Sequence, residues 1–194
     1  MSLNLQSAEF IKSAANPADL IQTSMPLICF SGKSNVGKSS VINRLLNRRD
    51  FARVGAKPGK TVHVNYFSVD GKVLFADLPG YGYAQVGQVE KARWAKLCEE
   101  FFSTQALTLG VMIVDSRHKP TADDQTMAAW YRETGSHVVV VANKLDKVKK
   151  SELAGNLLTI EATLALPDAE VLPFSAETGA GRDALVAIIN RAVG

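Results

Sequence analysis

The chain has 194 residues, 46% hydrophobic and 21% charged, a balance that supports a buried core, excludes disorder and fits one domain. No apolar run approaches the roughly 18 residues of a membrane span, and no basic stretch followed by an apolar one opens the chain, so neither a membrane segment nor a secretory leader is predicted. Net charge is only +3, but cations cluster at Arg44, Arg48, Arg49 and Arg53 and again at Lys144, Lys147, Lys149 and Lys150; each cluster reads as a solvated face or as a footprint for a polyanion such as RNA.

Residues 1–24 read as a lead-in, followed by a single domain over 25–194. Pro26–Gly32 is a short apolar run ending in glycine and predicts a buried strand. Ser39–Asn47 carries Val41, Ile42, Leu45 and Leu46 at helical spacing, and Arg48–Lys60 reads as a loop. Thr61–Leu78 holds two β-rich runs around Asp70-Gly71, a hairpin signal. After a second loop (Tyr81–Gly87), Gln88–Ser103 places Trp94, Leu97, Cys98, Phe101 and Phe102 on one helical face. Leu109–Asp115 predicts a strand, and Thr121 with Asp124 a capping box opening a helix to Thr134. Strands at His137–Asn143 and Ala169–Ser175 alternate with helices at Ser151–Leu166 and Gly181–Val193. The expected fold is α/β: a mostly parallel six-stranded sheet with one antiparallel strand and helices on both faces. Cys29 and Cys98 stand in apolar contexts without metal-ligand spacing and read as buried free thiols of a reducing compartment.

Three motifs fall at the carboxyl ends of predicted strands, where ligands bind in such sheets. Gly32–Ser39, GKSNVGKS, matches G-x-x-x-x-G-K-[ST] between a strand and a helix. Glycines let the backbone wrap around phosphate, and the helix N-terminus favours the anion. Lys38 reaches the β- and γ-phosphates, and the Ser39 hydroxyl suits Mg²⁺. Asp77-Leu78-Pro79-Gly80 has D-x-x-G spacing, with Asp77 placed to hold a metal-bound water and Gly80 to offer its N–H to a γ-phosphate. The only threonine between Ser40 and Asp77 is Thr61, which reads as a metal ligand or as a β-branched residue opening a strand. The position after Gly80, where many GTPases carry a water-positioning glutamine, is Tyr81. Asn143–Asp146, NKLD, matches N-K-x-D: a carboxylate accepts from guanine N1–H and the 2-amino group together, which adenine cannot satisfy. Asn143 suits contact with the base and bracing of nearby loops, the Lys144 stem can cover the ring, and small Ala176 in Phe174-Ser175-Ala176 lets its N–H approach guanine O6.

In this order, GKSNVGKSS, PGKT, DLPGYGYA, NKLD and FSA resemble the EngB (YihA/YsxC) bacterial GTPases of the TRAFAC class, and the lead-in AEFIKSA resembles them too. The resemblance implies a P-loop GTPase (G domain): a cytoplasmic enzyme converting GTP to GDP and phosphate with Mg²⁺, assisting assembly of the large ribosomal subunit and linked to cell division and septation. It implies nucleotide contacts at Gly32, Lys33, Ser34, Asn35, Val36, Gly37, Lys38, Ser39, Ser40, Gly59, Lys60, Thr61, Val62, His63, Asp77, Leu78, Pro79, Gly80, Asn143, Lys144, Leu145, Asp146, Phe174, Ser175 and Ala176. Metal ligands would be Ser39 and Thr61, with Asp77 acting through water; Lys38, Asn35, Thr61 and Gly80 are the candidate catalytic set. Lys33 stands where the family commonly has arginine. Several GTPases with asparagine at the Asn35 position are similar in using K⁺; the alternative is that Asn35 caps the loop. Slow intrinsic turnover, a monomer and rRNA contact through the basic clusters are the further expectations. The rival readings are a GTPase with another task, such as tRNA modification, and a P-loop nucleotide kinase, in which N-K-x-D and D-x-x-G have no role.

Overall fold

Several strand segments are apolar at nearly every position, a pattern suited to a strand covered on both faces. The computed structural model, which describes residues 2–52, 62–82 and 87–194, shows that arrangement. One sheet contains β1 (Glu9–Ala14), β2 (Leu27–Gly32), β3 (Val64–Val69), β4 (Val73–Asp77), β5 (Leu109–Asp115), β6 (Val138–Asn143) and β7 (Glu170–Pro173), in the order β1-β3-β4-β2-β5-β6-β7. Strands β4, β2, β5, β6 and β7 run parallel, while β3 is antiparallel to both its neighbours. Helices α1 (Lys38–Leu45) and α5 (Arg182–Val193) cover one face; α2 (Gln88–Thr104), α3 (Ala122–Thr134) and α4 (Lys150–Leu164) cover the other. Alternation along each strand serves two cores: Ile28, Phe30, Val111, Ile113 and Val141 face α1 and α5, whereas Cys29, Met112, Val114 and Val140 face α2–α4. Each such side chain contributes about 1.5–3 kcal/mol by leaving water.

The sheet has seven strands rather than the expected six, because Glu9–Ala14 adds an edge strand beside β3. Five of its six residues are exposed, so no apolar alternation marks it in the sequence. Tertiary contacts hold it instead. Phe10 packs edge-on against Phe67, and Leu3, Leu5 and Ala8 enter the core. The Arg48 guanidinium donates to the carbonyls of Gln6 and Ala8 at 3.0 and 3.4 Å.

Asp70 and Gly71 take the left-handed φ values (56° and 60°) that a tight hairpin demands, joining β3 to β4. The capping box forms at α3: the Asp124 carboxylate accepts from the Thr121 N–H at 2.7 Å, and Thr121 caps the Asp124 N–H. From β2 the chain goes to β3 and β4 on one side and then crosses to β5 on the other. This switch opens a crevice at the carboxyl end of β2, where the first motif begins. A hollow of about 700 Å³ lies at the opposite end of the sheet, beside Leu107, Thr108 and His137, where no motif falls.

Candidate nucleotide site

Gly32 closes β2, and the chain then turns through Asn35 and Gly37, both with positive φ (65° and 96°), into α1. Substitution of Gly37 would be strained for two reasons: its φ disfavours other residues, and a Cβ there would stand 2.5 Å from Asn143 Nδ2. Lys38, Ser39 and Ser40 form the first turn of α1, so their N–H groups have no partners within the helix and a positive pole sits at the loop. The Val36 side chain is buried in the core, leaving only its backbone at the loop surface.

The Asp77–Gly80 segment lies against this loop. The Lys33 backbone bridges Tyr81, and the Ser34 N–H donates to the Tyr81 carbonyl at 2.8 Å. Lys38 pairs with the buried Asp77 carboxylate. Leu78 is buried and its N–H donates to the Phe30 carbonyl, while the Pro79 carbonyl accepts from Trp94 Nε1 of α2 at 3.0 Å. The Tyr81 side chain does not face the loop. It is 4% exposed, packs edge-on against Trp94 and donates its hydroxyl to buried Asp124 at 2.8 Å. Burial first, and then the Asp124 charge, push its phenol well above the ordinary range.

The NKLD segment braces both neighbours. The Asn143 amide donates to the Val36 carbonyl at 3.0 Å and accepts from the Ala176 N–H at 3.1 Å. Lys144 donates to the Asn35 carbonyl (2.9 Å) and to Asp115 (3.0 Å). Burial alone would raise the Asp115 carboxyl, but hydrogen bonds from Arg117 and Lys144 outweigh it and hold the group below the usual carboxylate range. Ser175 donates to one Asp146 oxygen at 2.6 Å. Phe174 is fully buried, its N–H bonded to the Ala142 carbonyl and its own carbonyl accepting from the Leu145 N–H, so it builds the wall behind the site.

Comparison with known proteins fits this geometry. A family model described as a 50S ribosome-binding GTPase matches residues 27–144. A relative from Pelotomaculum thermopropionicum, described as "Probable GTP-binding protein EngB", is 43% identical over 194 residues, covering 99% of this chain and 98% of the relative. Another of the same description from Exiguobacterium sibiricum is 41% identical over 184 residues, covering 94% and 95%. The chain belongs to the EngB family of GTPases. A crystal structure of a probable GTP-binding protein engB shares the fold at a TM-score of 0.71 and 22% identity, covering 86% of this chain and 98% of that one.

As an EngB-family member the chain is a GTP-binding protein and a GTPase, which removes the kinase reading. Of the expected contacts, Gly59, Lys60 and Thr61 lie outside the described residues, as do Arg53 of the first basic cluster and Tyr83 of the second loop. Val62 and His63 are half-buried just before β3. The remaining motif residues converge on the carboxyl ends of β2, β4, β6 and β7. Two arginines of the basic cluster serve the fold: Arg48 holds the N-terminal segment, and Arg44 donates to the carbonyls of Ala176 and Glu177, both at 2.7 Å. Sequence reading also missed Asp115, whose only local cue was its place at a strand end, and Asp124, which it read solely as a helix cap. Among the described residues no helix is long and apolar enough to cross a membrane.

Proposed function

We propose that this EngB-family GTPase is a slow conformational switch in assembly of the large ribosomal subunit, needed for normal cell division and septation, and that it works in the cytoplasm as a monomer. The observation that carries the nucleotide half is the pair of bonds from Asn143 and Lys144 to the carbonyls of Val36 and Asn35, which join the base motif to the phosphate loop in one site. Guanine would lie between the Lys144 stem and the Asp146 carboxylate, one of whose oxygens is already committed to Ser175. The N–H groups of Lys38 and Ser39 would receive phosphate oxygens, and the Gly80 N–H would sense the terminal one.

The Ser39 hydroxyl and the Asp77 carboxylate are hard oxygen donors, a set that suits Mg²⁺. Ser39 and Thr61 would hold the ion directly and Asp77 through water; once bound, it offsets phosphate charge. The proposal of slow turnover rests on Tyr81. It has no carboxamide, and its hydroxyl is turned inward to Asp124. K⁺ beside exposed Asn35 would supply positive charge in its place, and equal GTPase rates in KCl and NaCl at one ionic strength would end that part of the reading.

RNA contact would fall to exposed Arg49, Lys147, Lys149 and Lys150, since Arg44 and Arg48 are engaged within the chain. The family model's description as 50S ribosome-binding supports this partner. Co-sedimentation with ribosomal subunits in GDP and in a non-hydrolysable GTP analogue tests it. Association with the large subunit should depend on the analogue and weaken steeply with salt. No association in either state, or binding indifferent to salt, would overturn it.

A further inference from the structure

The hollow of about 700 Å³ at the far end of the sheet falls within the roughly 300–1,000 Å³ typical of ligand pockets. It lies between the ends of α2 and α3 and the segments that lead into β5 and β6. Its charge opposes that of the chain. Exposed Glu99 and Glu133 line it with His137, and among the described residues no lysine or arginine does, although the net charge is +3. One wall is aromatic. There Trp130 is half-buried and held at ring-centroid distances of 5.5 Å from Trp94 and 5.7 Å from Phe102, so its ring is fixed before any ligand arrives. Gln105, also in the lining, is only 7% exposed. Its amide N–H donates to Thr104 Oγ1 at 3.3 Å, and among the described residues its side-chain oxygen accepts no hydrogen bond, which leaves it open to a donor in the hollow.

Two carboxylates, an aromatic face and an open amide oxygen match one chemical group. A guanidinium is planar and always charged, carries five donors, stacks on aromatic rings and pairs with carboxylates. We infer that this hollow is a docking site for an arginine-bearing segment of a partner protein, with the guanidinium against Trp130 and its N–H groups donating to the carboxylates and to Gln105. Both carboxylates would repel a polyanion such as RNA. The surface thus adds a protein partner to the RNA contact proposed above and does not rest on it.

Fluorescence anisotropy of a labelled peptide with three arginines spaced by glycine, titrated with the full chain at low salt beside the matched lysine peptide, tests the assignment. The wild type should bind the arginine peptide on the order of tenfold more tightly than the lysine peptide. The double variant Glu99→Gln, Glu133→Gln should bind the arginine peptide on the order of tenfold more weakly than the wild type. Because both glutamates are exposed, this variant should keep its thermal unfolding and its GDP affinity, which separates a lost contact from a lost structure. No binding by the wild type, binding indifferent to the two glutamates, or equal binding of the two peptides would overturn the inference. Free arginine competing at the peptide's own concentration would make the hollow a small-molecule site. Dimerisation that the double variant abolishes would assign it to a second copy of this chain, and either result also overturns the inference.

Discussion

The proposed base side and the proposed phosphate side of the candidate site are built in different ways. On the base side the protein's polar groups bond one another: Asn143 to Val36 and Ala176, Ser175 to Asp146, Lys144 to Asn35 and Asp115, and Arg44 to Ala176. On the phosphate side they are held less completely. Ser34 has an unpartnered hydroxyl, and Lys38 and Asp77, both expected to serve the nucleotide, are paired with each other. A preorganised base pocket loses little on binding, whereas a phosphate side with uncommitted groups can exist in two arrangements. On the proposed function, specificity and switching would fall to different ends of one crevice.

The largest effect expected on this division is Asp146→Asn, which replaces an acceptor pair with a mixed amide. GDP affinity should fall on the order of 10⁴-fold in a fluorescence titration while urea-denaturation stability changes little. Asn143→Ala should couple the two sides, because it leaves the Val36 carbonyl and the Ala176 N–H without their partner. A stability loss of about 3 kcal/mol by urea denaturation, together with weaker GDP binding, is the expected result. Tyr81→Gln tests the opposite side. Truncating this buried ring should cost about 3 kcal/mol of stability, and Tyr81→Phe about 1 kcal/mol, with GDP affinity kept within about twofold for both. A large loss of GDP affinity would show that Tyr81 belongs to the pocket after all.

The smallest effect concerns Cys29 on β2, whose thiol burial pushes up to about 12 from an ordinary value of 9.0. A raised native value means that the stabilising contribution is complete below pH 9 and is lost as pH rises toward 12. Between pH 7.5 and 10 the unfolding free energy should fall by about 1 kcal/mol from this group. Cys29→Ala should remove that share of the alkaline decline.

Much of this fold is legible in the order of residues alone. The β2–α1 boundary, the Asp70-Gly71 hairpin, the Thr121–Asp124 capping box and the strand runs at Leu109 and His137 all follow from spacing over a few residues. The same holds for the phosphate loop and NKLD as candidate motifs. Other features have no local signal. Strand β1 is mostly exposed, so nothing in its pattern separates it from a lead-in. The cluster of Arg44, Arg48 and Arg49 reads as one charged surface, yet Arg44 and Arg48 reach carbonyls far away in the chain.

Tyr81 illustrates the boundary most clearly. Its residue type alone excluded the carboxamide chemistry of a glutamine, because a phenol cannot offer the same donor and acceptor pair. Only tertiary structure decided where the side chain goes: toward Trp94 and Asp124 and away from the phosphate loop. By itself the sequence determined six of the seven strands, the five helices and the motifs after β2, β4, β6 and β7, since backbone periodicity and turn geometry act over a few residues. The choice of partners, such as Asn143 with Val36 across 107 residues, awaited the sheet order that brings β6 within reach of the loop after β2.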